Sequence, residues 1–360
     1  MKSFKTYIPF VIALTAGLSF ITLGITGPTL THYPGDLIDG RFNNYLLEHA
    51  YNYFMGLESS FWNAPFMYPE EKVISYSDNL LGTAPFYIMF RILGCDREMA
   101  FQCWYILLAI LNFTSCYILL KYLFKNTYAA ALGAMIFAFS LALHSQMAHA
   151  QTFPRLAIPL SFLMGLMFLR EMRVRYFLWS VFFVVYQFYC GIYIGFMLAA
   201  AIGFFYLVSL VIKRQQYFQR FGDIKWWLMM IGALGLNILM LLPLVKPYLA
   251  RAHDVGYYPY ESISNALLTP KSFLFSWGGS LFWTVLNSMC VKDFTYYCEY
   301  QVFAGGFATL CLAAFLVILI VKFFSGNKFV DLTISKEQWI LFGTAILCFL
   351  FFMRMGEFSL

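Results

Sequence analysis

A chain of 360 residues that is 61% hydrophobic, only 12% charged and of mean hydropathy +0.69 carries too much apolar surface for a water-soluble fold. The net charge of +6 carries no nucleic-acid implication until the charges are sorted by side, and no Gly-x-x-x-x-Gly-Lys loop for nucleotide phosphates occurs. The class that remains is an all-α, polytopic helical membrane protein, a single transmembrane domain over 1–360 with no nucleic-acid partner.

Apolar windows near 7–27, 101–123, 127–143, 156–170, 176–190, 191–212, 226–247, 301–324 and 338–353 predict about nine spans, the shortest of them compatible with a re-entrant hairpin. The first follows Met1-Lys2-Ser3-Phe4-Lys5 and is too long for a cleaved signal, so it reads as an uncleaved anchor. With the amino terminus in the cytoplasm, the short inner loops collect bases such as Lys121, Arg170, Arg173, Lys213 and Arg214 against few acids. The outer loops at 28–100 and 248–300 collect most of the carboxylates. That asymmetry predicts the orientation by the positive-inside rule.

The first outer loop opens Pro34-Gly35-Asp36-Leu37-Ile38-Asp39-Gly40-Arg41. Phe42, Tyr45, Leu46, His49 and Tyr53 then recur at helical spacing, opposite Asn43, Asn44, Glu48 and Asn52, which predicts an interfacial helix with Asp39 as its N-cap. Phe61 to Ser77 reads as an ordered loop, and Leu80 to Leu93, after Ser77-Asp78-Asn79, as a second surface or re-entrant helix. A short outer connection, 144–155, holds His144, His149, Gln151 and Arg155. The last long outer segment holds Arg251, the aromatics of 257–260, Ser264 to Pro270, Lys271, and Cys290 and Cys298, which are either a bridge or two thiols. The chain stops just after the last span at Arg354 to Leu360, with no soluble domain following, an end abrupt enough to suggest carboxy-terminal truncation.

Group transfer to a hydroxyl needs a carboxylate base, and a phosphate-bearing donor needs cations. Asp39 and Asp36 are the candidate catalytic carboxylates, each also open to a turn or capping role. Arg155, Arg251, Lys271 and Arg354 are candidate phosphate partners, with His149 and Asn43 as further substrate-binding candidates. Asp39, His144 and His149 form one candidate set for a divalent cation, magnesium or manganese, although such sites ask for three or four ligands.

An acidic motif after the first span, an interfacial helix and many spans with short inner loops together resemble the GT-C superfamily of membrane glycosyltransferases. Asp39-Gly40-Arg41-Phe42-Asn43-Asn44-Tyr45 is similar to the Asp-Pro-aromatic-aromatic-Asn-Tyr-Arg stretch of oligosaccharyltransferase catalytic subunits, without its final Arg. Ser264 to Pro270 looks like the bacterial members that decorate cell-envelope polymers. The resemblance implies a bacterial plasma-membrane enzyme with an extracytoplasmic active site. It would move a sugar from a polyprenyl-phosphate carrier to an outer acceptor, with Asp39 as base or metal ligand. Two rivals belong to other classes: a transporter or flippase of lipid-linked intermediates, with Asn112, Gln187 and Asn237 along its path, and a non-catalytic assembly subunit.

Overall fold

The computed structural model describes residues 2–256, 259–280, 282–289, 299–325, 334–355 and 358–359. Apart from one two-residue hairpin, β1 (Arg354–Met355) with β2 (Phe358–Ser359), the regular elements among them are helical. Cys290, Cys298, Tyr257 and Tyr258 lie outside the described residues.

The helices run α1 (Lys2–Ile21), α2 (Asp39–Phe54), α3 (Ala84–Ile92), α4 (Arg97–Phe124), α5 (Thr127–Phe139), α6 (Leu141–Ser145) and α7 (Ala157–Glu171). They continue with α8 (Val174–Cys190), α9 (Ile192–Ile212), α10 (Arg214–Phe218), α11 (Ile224–Val255), α12 (Tyr260–Ala266), α13 (Gly306–Ser325) and α14 (Lys336–Phe352). Seven segments among the described residues are long and apolar enough to cross a membrane: Tyr7–Thr26, Arg97–Phe124, Thr127–Ser145, Ala150–Glu171, Ile192–Ile212, Ile224–Val255 and Gly306–Phe324. Of the nine predicted windows, the other two correspond to α8 and α14, each of 17 residues. The predicted 156–170 window is lengthened by a 3-10 turn at Ala150–Thr152.

Helix starts follow local chemistry. The Asp96 carboxylate accepts from Met99 N to begin α4, Asn126 caps α5, Asp223 caps α11, and Ser335 with Gln338 forms a capping box at α14. Pro243 and Pro247 do not end α11, which continues to Val255 and so carries Tyr248 and Arg251 on a helix rather than in the outer loop predicted from 248. Gln301 to Gly305 precede α13 in non-helical geometry, with Phe303 N donating to the Phe275 carbonyl. The bundle packs α4 on α5 and α7, α8 on α7, α9 and α11, and α14 on α9, while large apolar side chains on α9, α11 and α13 remain exposed, as a lipid-facing surface requires.

The end that carries α2 and α3 is built on a core of Leu46, Leu47, Tyr87, Phe101, Trp104 and Tyr105. Here the predicted faces of α2 need correction. Asn43 and Asn44, assigned to its polar side, are buried, and Tyr53 is exposed. Glu48, on the same side, receives a bidentate pair from Arg91 (Nε to Oε2 2.9 Å, Nη2 to Oε1 3.0 Å) and a 2.8 Å bond from the Tyr87 hydroxyl. Arg91 also reaches the Cys95 carbonyl at 2.6 Å and stacks on Tyr51, so α2 is pinned to α3 by its polar side. The Arg91 guanidinium is held above its ordinary value by these bonds to Glu48.

Because both partners of this pair are largely buried, removing one leaves a poorly solvated charge. Glu48→Leu should cost about 2–4 kcal/mol of stability, read as a lower Tm in detergent, and adding Arg91→Leu should recover part of the loss.

Candidate functional site

The site begins with a tight turn. Gly35 sits at φ +85°, and a Cβ there would meet the Met147 carbonyl at 3.0 Å, so glycine lets Pro34-Gly35-Asp36 press against 147–148. The Asp36 carboxylate then accepts from Ile38 N (3.0 Å) and Gly40 N (2.9 Å). This corrects the predicted N-cap: Asp36 satisfies the first amides of α2, while Asp39 lies within the first turn. The Tyr33 hydroxyl donates to the Gly40 carbonyl at 3.2 Å, and burial pushes its pKa up to about 12, so it stays a donor.

Relieved of capping, the half-exposed Asp39 places Oδ2 3.2 Å from His149 Nδ1. One turn further along α2, Asn43 Nδ2 donates to the Asp39 carbonyl (2.8 Å) and to Gln151 Oε1 (3.0 Å). Two contacts thus join the start of α2 to the 149–151 segment. That segment is itself held from inside the bundle. The Tyr105 hydroxyl donates to the Met147 carbonyl (2.8 Å), Asn112 donates to the Phe153 carbonyl (2.8 Å) and accepts from Arg155 N (2.9 Å), and Gln187 donates to the Pro154 carbonyl (2.8 Å).

A second carboxylate, singled out by no sequence motif, lies on the far side of Gln151. Asp78 is 5% exposed and accepts from Ile192 N at the break between α8 and α9. Gly191 fits between the two, since a Cβ there would lie 2.8 Å from the Gln151 carbonyl and 3.6 Å from Asp78 Oδ1. Burial raises the Asp78 carboxyl to about 6, with the Ile192 amide pulling the other way. Its neighbour Asn79 donates to the Phe188 carbonyl at 3.3 Å, and the Tyr248 hydroxyl donates to the Ser77 carbonyl at 2.7 Å, so α8 and α11 close this side.

The remaining predicted residues are dispersed. His144 contacts the rings of Phe20 and Trp277. With Tyr33, Asp36 and Trp277 it lines a cavity of about 250 Å³ on the other side of the Pro34–Asp36 turn. Arg155 bonds the Thr152 carbonyl through Nε at 2.8 Å. Arg251 lies 3.5 Å over the Tyr76 ring, with its Nε buried and unbonded. Arg354 donates to Asn265 Oδ1 at 2.9 Å and fastens 264–265, and Lys271 lies exposed in a 3-10 turn, Pro270–Leu274. Asp39 and His149 are therefore brought together, whereas His144 is not with them, and no group of three His, Cys, Asp or Glu that could hold a metal occurs among the described residues.

Comparison with protein-family models, curated proteins and solved structures finds no match. Two carboxylate–imidazole contacts occur among the described residues: Asp39 with His149, which joins α2 to the 149–151 segment, and the exposed neighbours Asp254 and His253 at 3.4 Å near the end of α11.

The folded chain binds the Asp78 proton more tightly than the unfolded chain does, so this group's contribution to stability is complete below about pH 4 and is lost as pH rises to about 6. Tm measured in detergent against pH should show the native chain falling relative to Asp78→Asn across that window, by on the order of 2–3 kcal/mol, with a constant difference above it.

Proposed function

We propose that the protein is a membrane glycosyltransferase of GT-C type, which moves a sugar from a polyprenyl-phosphate carrier to an acceptor hydroxyl outside the cytoplasm, with Asp39 as the base. The observation that carries this reading is the Asp39–His149 contact. A carboxylate freed from capping, half-exposed and steadied by an imidazole has the access that an incoming acceptor requires. In the reaction the acceptor oxygen bonds to the anomeric carbon as the bond from that carbon to the phosphate oxygen breaks. The electron pair leaves with the lipid phosphate, and the acceptor proton passes to Asp39.

Leu37 and Ile38, exposed between the two acids, would rest in the lipid beside the carrier chain. Arg155 shares the held segment with His149 and Gln151 and is assigned the leaving phosphate. The bacterial plasma membrane, with the basic end of the bundle in the cytoplasm, follows from the same reading and from charge asymmetry.

The transporter reading loses support from the polar side chains it needs. Asn112 and Gln187 hold the backbone of 153–155, and Asn237 donates to the carbonyls of Ala233 (2.9 Å) and Leu178 (3.3 Å), so all three act in helix packing.

In proteoliposomes supplied with a radiolabelled polyprenyl-phosphate sugar, Asp39→Asn should reduce transfer by about 100-fold or more while leaving Tm unchanged. Asp36→Ala should instead cost about 1 kcal/mol of stability through its cap, so that its loss, unlike that of Asp39, shows in Tm. Near-native transfer by Asp39→Asn removes the proposal.

A further inference from the structure

The opposite end of the bundle carries a feature that sugar transfer leaves unexplained. Where α9 ends, α10 crosses and α14 begins, a polar cavity of about 560 Å³ is lined by Lys213, Arg214, Gln216, Lys336 and Glu337, among others. Lys213 is only 6% exposed, and its ammonium is already committed, to Glu337 Oε1 at 2.7 Å and the Leu169 carbonyl at 3.1 Å. Arg170 approaches the same carboxylate at 3.9 Å. One acid therefore faces two cations before Arg214 and Lys336 are counted, and neither of these has a carboxylate partner among the described residues. Among the described residues the cavity is left with an excess of positive charge.

What surrounds the cavity identifies the source of a ligand. Phe218, Phe221 and Ile224 are 70%, 76% and 74% exposed, and the apolar surface continues along α11 through Leu228 and Ile231. Side chains of that kind, uncovered over several helical turns, belong in hydrocarbon, which sets the cavity at the level of the polar headgroups. A basic pocket at this depth attracts phosphate, because each cation near an anionic surface adds to the binding.

We propose that this cavity binds the phosphate of an anionic membrane phospholipid, with Arg214 and Lys336 as the phosphate contacts. Lys213 and Glu337 form the fixed floor, and the acyl chains lie over Phe218, Phe221 and Ile224. The site is independent of the chemistry at the other end of the bundle and would hold α9, α10 and α14 together in the membrane that supplies its lipid.

Native mass spectrometry and Tm shifts on the full chain in detergent test it with three probes at equal concentration: phosphatidylglycerol, phosphatidylcholine of the same chain length, and inorganic phosphate. The native chain should retain and be stabilised by phosphatidylglycerol well above phosphatidylcholine. In Arg214→Gln/Lys336→Gln that retention should weaken by roughly tenfold or more, with Tm in lipid-free detergent unchanged because neither cation has a carboxylate partner among the described residues. Protection by inorganic phosphate equal to that by phosphatidylglycerol, and lost in the variant, overturns the lipid source and assigns the site to a soluble anion. Retention of phosphatidylglycerol that is the same in native chain and variant overturns the site itself.

Discussion

A backbone that leaves helical geometry inside an apolar bundle must find its hydrogen bonds within the protein, because lipid supplies none. The connection from Gln146 to Leu156 meets that requirement through Tyr105, Asn112 and Gln187, three polar side chains on α4 and α8. Each uncompensated buried backbone group would cost on the order of 1–3 kcal/mol, which is sufficient to select this path for the connection. Fixing the path fixes His149 and Gln151, and these two in turn receive Asp39 and Asn43 from α2. The other end of α2 is settled by Glu48 on Arg91. The arrangement of the candidate site is therefore a consequence of how a membrane bundle satisfies an irregular segment.

The two ends of the bundle use charge differently. At the α2 end, charged groups are spent on geometry: Asp36 on a turn, Glu48 on Arg91, Asp78 on an amide, Arg354 on Asn265. Asp39 is instead a partly exposed carboxylate that joins two segments of the fold through the His149 imidazole, which is why the proposed chemistry centres on it. At the opposite end Lys213 and Arg170 surround Glu337, and Arg214 and Lys336 add charge that no described carboxylate balances. Local neutralisation marks a structural role, and unbalanced charge next to exposed aromatics marks a surface that meets something else.

Much of the architecture was legible because it depends on patterns that act locally. Apolar length predicts the spans, whereas the caps Asp96, Asn126, Asp223 and Ser335, equally local in their chemistry, emerge only with the helix boundaries. The helix from Phe42 to Phe54 was legible from its period, but its partners were not: a polar face reads as solvated unless the complement, here Arg91 forty-three residues away, is known to face it. The choice between Asp36 and Asp39 as cap turned on a turn made by Gly35, whose positive φ is set by contact with 147–148. Asp78 was hidden because a lone acid in Ser-Asp-Asn carries no motif; its only sequence signal is an acid just ahead of a short apolar helix. Asn112 and Gln187 were visible as polar residues in spans, yet a linear pattern does not distinguish a permeation path from a backbone clamp.

The most direct measurement is the proximity of positions 39 and 149 as a function of the clamp. Asp39→Cys with His149→Cys, treated with a short bifunctional thiosulfonate and analysed by peptide mass, should crosslink efficiently when residue 112 is Asn. The crosslink should be largely lost when Asn112→Leu removes the bonds to Phe153 and Arg155. Absence of the crosslink with Asn at 112, or equal crosslinking with Leu there, would contradict the account.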